Sequence, residues 1–224
     1  YSVVWEPLIA SKFSIFAESV NAVWMWKKLV LRGSTRNEKG GEELAYFRGG
    51  FSRLAENIVS AIEKNGGTVL LNSRVHDVKT SNGRVKSISA GGNAFTAENY
   101  LFTTSFPIVA KLFENRAPQE WLSSLNRVKY LGNICLVLRL NRQLSDTYWL
   151  NVNDPGFPFV GVIEHTNFDS PDNYSGSHIV YLSRYLARED EVWSYNDNEY
   201  YNFAMKHLKR MFPELNDSWI IDRA

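Results

Sequence analysis

The sequence carries a single cysteine, Cys135. No disulfide can close within the chain, and no zinc site can be built from thiols. A lone thiol inside the apolar run "NICLVLRL" is expected to pack as a small buried hydrophobe. Such sparse use fits a reducing compartment, and the expectation is cytoplasmic. No apolar run reaches the roughly 18 residues that a spanning helix needs. Net charge is only +1, so no broad field argues for nucleic acid as a partner. The four histidines, His76, His165, His178 and His207, have no metal-ligand spacing on one element, and no metal is expected. No G-x-G-x-x-G stands anywhere, no Gly-Lys-Ser/Thr completes a phosphate loop, and no G-x-S-x-G elbow supports a nucleophile.

What is abundant is aromatic surface: 7 Trp, 11 Tyr and 13 Phe. Rings in that number either fill the core or line a pocket for a flat or greasy ligand. The periodicity between them is mixed. Residues 5–31 read as two helices, the second from about Ala17 to Leu31, with Pro7 suited to a first turn. A polar loop follows over 32–43. The segment Phe51–Lys64 places Phe51, Leu54, Ala55, Ile58 and Ile62 on one helical face, and Gly66–Gly67 ends it with a left-handed stop. "TVLLNS" predicts a short strand. "RVHDVKTSNGRVKSIS" predicts a hairpin turned at Asn82–Gly83, and "AFTAENYLFTTS" one or two strands more. Short helices are expected over Pro107–Phe113 and Gln119–Leu125. Strands are expected over 129–140, 146–152, 158–166 and 178–185, with a last helix from about Asn198 to Met211. Hairpins beside helices, without regular alternation, give an α+β fold with a mixed or antiparallel sheet.

Chemistry is harder to find. Gly49–Gly50 reads as a tight turn opening a helix, although a helix N-terminus can hold an anion. Glu164 and His165 stand where a strand ends and could do acid–base work, against the simpler reading of a surface-loop pair. "LKRMF" reads as a solvated basic face. "VWMWKKLVL" is the stretch to suspect for lipid contact, since Trp and Lys suit an interface; core packing is the simpler alternative.

A longer pattern joins these pieces. "YFRGGFSRLAENI", "EKNGGTVLLNSRVHDV", "NGRVKSI" and "AENYLFTTSFPIVAKLF", over residues 46–113, resemble the middle of flavin-containing amine oxidase-type proteins. That superfamily includes protoporphyrinogen oxidase and the phytoene desaturases. The remainder, with "YWLNVNDPGFPFVGVIEHTNF", is similar to their substrate-domain sheet. The resemblance implies an internal segment of a longer, FAD-dependent oxidoreductase that moves a hydride from a substrate C–H to the flavin. It divides the chain into a helical part of a substrate domain (1–66), a small β-rich segment of an FAD-binding domain (67–113) and an antiparallel-sheet substrate domain (114–224). The nucleotide-binding fingerprint would lie outside these residues, and the segment alone is expected to bind little FAD.

Carried over residue by residue, the resemblance puts the backbone of Val75 against the adenine. It places Thr103, Thr104 and Ser105 at a strand end near the nucleotide. No lysine aligns beside the flavin, which sets amine oxidation aside within the wider oxidoreductase class. No catalytic residue is assigned. Trp149, Phe159, His165, Tyr181 and Tyr185 are the candidates to line the cavity of a small-molecule substrate, apolar or a nucleotide sugar. In the nucleotide-sugar alternative, a redox-neutral mutase, Arg48, Arg139, Arg142 and Arg184 would face a diphosphate. A non-enzymatic binding module, its rings all core, is the remaining alternative.

Overall fold

The computed structural model describes residues 2–34 and 45–224, with the side chains of 32–34 left out. In chain order the elements are α1 (Trp5–Phe13), α2 (Ala22–Ser34), α3 (Phe51–Lys64), β1 (Val75–Ser81), β2 (Arg84–Ala90), β3 (Asn93–Phe95), α4 (Phe106–Leu112), α5 (Gln119–Asn126), β4 (Gly132–Leu140), β5 (Trp149–Asn151), β6 (Gly161–Glu164), β7 (His178–Leu186), α6 (Asp197–Met211) and β8 (Ile220–Arg223). The fold is α+β, with two antiparallel sheets. Two compact units divide it: Tyr1–Phe51 with Tyr130–Ala224, and Ser52–Lys129. The inner unit contains all of residues 67–113, preceded by nearly all of α3 and followed by α5.

In the inner unit the hairpin forms where Asn82–Gly83 predicts it. Both residues take positive φ, 52° and 69°, as a two-residue turn requires. Val78 is its most buried residue, packed with Val109, Ala110, Phe113 and Leu122 from α4 and α5. Gly66 ends α3 at φ 81°, and the Gly67 N–H donates back to the Ile62 carbonyl at 2.9 Å. The strand expected over residues 68–73 is absent, and of "AFTAENYLFTTS" only the start pairs, in β3; residues 68–73 and 100–105 pair with no strand among the described residues. Their β-propensity has no neighbouring ladder to satisfy, and Leu70, Leu71 and Leu101 stand exposed. On α3, Ile58 and Ile62 are likewise exposed.

The outer unit is built on the sheet β5–β6–β7–β4–β8. The central pair β4–β7 is in register over its whole length, from Gly132↔Leu186 to Leu140↔His178. Alternation gives this sheet two different faces. Leu136, Leu138, Val162, Val180 and Leu182 point to one side, where Tyr200, Ala204, Met205 and Leu208 of α6 complete the core. Cys135, on the other side, is exposed rather than buried. The apolar run around it describes only one face of the strand.

The second helix begins at Ala22, not Ala17. The Asn21 side chain accepts the Val23 N–H at 2.8 Å, and a 3-10 segment occupies Ser14–Ser19. Residues 32–34 continue α2, while 35–43 of the expected loop lie outside the described residues. Val23, Trp26, Leu29 and Leu31 are exposed on α2, with Lys27 over the Trp26 ring at 5.1 Å. No helix among the described residues is long and apolar enough to cross a membrane.

Candidate functional site

The face of the sheet opposite α6 carries a row of side chains in register. Trp149 of β5 stands opposite Ile163 of β6, and Ile163 opposite Tyr181 of β7. These three form the floor of a cleft of about 400 Å³. Phe168, Tyr148 and Tyr46 supply walls, and Phe51 stands at its rim. The rings hold one another: Tyr46 lies 5.2 Å from Phe51 and 6.1 Å from Phe168, and Phe168 lies 4.9 Å from Tyr148, centroid to centroid. Gly49 and Gly50 both take positive φ, and the Gly50 N–H donates to the Phe47 carbonyl at 2.8 Å. The glycine pair is therefore a tight turn, and it sets Tyr46 and Phe51 on the same cleft.

Strand β6 stops at Glu164, and a 3-10 turn over His165–Asn167 follows, so the strand expected over 158–166 is shorter. The reason is visible in the hydrogen bonds. The Phe168 and Asp169 N–H groups both fold back to the His165 carbonyl, at 2.9 and 3.0 Å. A second 3-10 turn, Pro171–Tyr174, starts from a Ser170 cap with Pro171 at its first position. It returns the Tyr174 hydroxyl to His165 Nε2 at 2.7 Å. Tyr174 donates its proton to Asp169 Oδ2 at 3.1 Å, and Asp169 Oδ1 accepts from Asn173 at 2.8 Å. Burial holds His165 below its ordinary pKa, against the raising effect of Asp169. Burial first, then the hydrogen bond to Asp169, pushes the Tyr174 hydroxyl up. Tyr181 is raised by burial as well.

Glu164 and His165 are not a surface-loop pair. Both are buried, and they face opposite ways. The Glu164 carboxylate accepts the Leu144 N–H at 2.9 Å and the Ser145 N–H at 2.7 Å, fastening the chain after β4 to the end of β6. It lies outside the cleft lining, and its neighbour His165 lies within it.

Of the residues singled out from sequence, Trp149, His165 and Tyr181 meet in this cleft. Phe159 and Tyr185 do not: they line a different cavity, of about 620 Å³, beside α1, and Phe159 is otherwise part of the core. Val75 opens β1 opposite Ala90 and packs its side chain against the inner unit's core. Thr103 and Thr104 are exposed, and Ser105 precedes α4, where its carbonyl accepts the Ile108 N–H at 3.0 Å. Among the arginines, Arg142 lies over Trp219 at 5.0 Å and Arg184 pairs with Asp190 at 3.3 Å; Arg48 and Arg139 are exposed. Sequence reasoning missed Tyr46, Phe168, Asp169 and Tyr174. The turn chemistry of "DSPDNY" was the available signal for the last two.

Comparison with known proteins gives the family. The sequence model of the family described as flavin containing amine oxidoreductase matches residues 2–223. A 15-cis-phytoene desaturase, chloroplastic/chromoplastic, of an Oncidium hybrid cultivar is 28% identical over 184 residues, covering 79% of this chain and 31% of that protein. The chain thus spans about a third of the length of the curated relatives it matches. Among solved structures, an oxidoreductase from Methanosarcina mazei superposes with a TM-score of 0.65 at 18% identity, over 79% of this chain and 42% of its own. Reduced UDP-galactopyranose mutase superposes at 0.63 and 12% identity, over 98% of this chain and 50% of its own. The chain belongs to the flavin containing amine oxidoreductase family.

Proposed function

We propose that these residues are the substrate-binding portion of an FAD-dependent oxidoreductase, an internal segment of a longer polypeptide. The aromatic cleft on the face of the sheet opposite α6, in a chain of this family, carries the reading. When bound, FAD supplies the hydride acceptor. This chain's own residues bind and orient the substrate: Trp149, Ile163 and Tyr181 form a largely apolar floor, and His165 offers a polar contact.

The residues present fit the cofactor only in part. No G-x-G-x-x-G occurs in the sequence, so a diphosphate cradle of that kind would come from outside these residues. Val75, Thr104 and Ser105 would supply a minor share, through the start of β1 and the turn into α4. The exposed Ile58 and Ile62 of α3 and the unpaired segments 68–71 and 101–104 support a further unit packed there.

The polypeptide that contains this chain is expected to purify yellow, and the 224 residues alone to retain little or no flavin. A colourless full-length protein that stays apo when FAD is added would overturn the reading. Turnover with no consumption of an electron acceptor would instead favour the redox-neutral, nucleotide-sugar alternative.

A further inference from the structure

The three groups His165, Tyr174 and Asp169 form a chain with one consistent direction. An ionised carboxylate only accepts, so the Tyr174 proton goes to Asp169. The Tyr174 oxygen must then accept, and at 2.7 Å its donor is His165 Nε2–H. A neutral imidazole carries one proton, so Nδ1 is left with a bare lone pair. Burial favours that neutral form.

The ring is also held in place. Tyr46, Tyr174 and Tyr181 pack edge to face against it, at 5.0, 5.5 and 5.9 Å between centroids. Asp169 is fixed in turn by the Ser170 N–H and by Asn173. His165 lines the cleft and Tyr174 does not. With Nε2 bonded to Tyr174, Nδ1 is the polar ring atom that His165 has left to offer a molecule in the cleft.

We propose that the cleft selects a planar, ring-bearing molecule that carries a hydroxyl or N–H, with His165 Nδ1 receiving that proton donor. The remaining walls are apolar or aromatic, so they recognise the flat body. His165 is the specificity-determining contact, and Tyr174 with Asp169 is its positioning pair. A hydrocarbon of the same shape would leave Nδ1 desolvated without a partner, and the site discriminates against it. Calling the occupant a substrate rests on the flavoenzyme reading above. The binding chemistry does not, and it is tested without cofactor.

Calorimetry on the 224-residue chain compares 2-naphthol with naphthalene and with 2-methoxynaphthalene. The expected result is naphthol binding about tenfold or more tightly than either analogue, the scale of one hydrogen bond. His165→Leu should make the three ligands equal by weakening naphthol alone. Should that variant lose its circular dichroism signature, Tyr174→Phe answers the same question: naphthol weakens several-fold while naphthalene is unchanged. Equal binding of the three ligands to the unmodified chain, or no binding of naphthol, overturns the proposal, as does a preference that survives both substitutions. Failure of the yellow-protein test with the naphthol preference intact would sink the flavin reading and leave this pocket standing.

Discussion

Tyr200 keeps its hydroxyl inside the core beneath the sheet, where burial pushes its pKa up to about 12. The oxygen has no hydrogen-bond partner among the described residues. An unmet buried hydroxyl costs on the order of 1–3 kcal/mol. Tyr200→Phe is therefore expected to hold or raise stability, by up to about 1 kcal/mol in urea unfolding; a clear loss would mean that the hydroxyl is satisfied. Histidine gives the pH dependence. His165 is held below its ordinary value of 6.5 by burial, and His207 by burial and then by Arg210 and Lys206. In the window between the lowered folded values and 6.5, the unfolded chain binds more protons than the folded one. Stability must fall as pH drops through that window, and the loss is absent above it. His165→Leu combined with His207→Gln should flatten the acid limb of the urea midpoint against pH, and an unchanged limb would assign it to other groups.

Local signals set several elements well. Helix α6 starts at a capping box, in which the Asn196 side chain accepts from the Glu199 N–H and the Glu199 side chain accepts from the Asn196 N–H. Asn196→Ala should cost about 1 kcal/mol, read as a lower thermal midpoint, with no change in the cleft on the sheet's other face. Strand β7 and helix α3 were legible almost to the residue, because each has a sustained period and a turn or glycine at its end. The failures share a cause. Segments 68–73 and 100–105 have strand composition, yet a strand exists only with a paired neighbour, and composition does not say who that neighbour is. Strand β6 ends early because the carbonyl of His165 takes two N–H groups of its own turn, a choice made by three-residue geometry rather than by propensity.

At the scale of the whole molecule, the exposed Ile58 of α3 separates the chain from the longer polypeptide proposed to contain it. Ile58→Asp should shift the stability of the 224-residue chain by less than about 0.5 kcal/mol, since the side chain is half exposed. In the longer polypeptide the same change should cost several kcal/mol, because a covered face would bury an unpaired charge; equally small shifts in both would mean that nothing packs there. Sequence by itself determined the α+β class, the Asn82–Gly83 hairpin, the glycine turn before α3 and the family, each of which rests on residues close together in the chain. Only the tertiary structure decided the site. Trp149, Ile163 and Tyr181 become neighbours through strand register, Tyr46 arrives from far upstream, and His165 acquires its direction from a tyrosine nine residues on. Alternation says that a strand has two faces; which face is sealed by a helix and which is left as a cleft depends on contacts between distant segments, which no local pattern encodes.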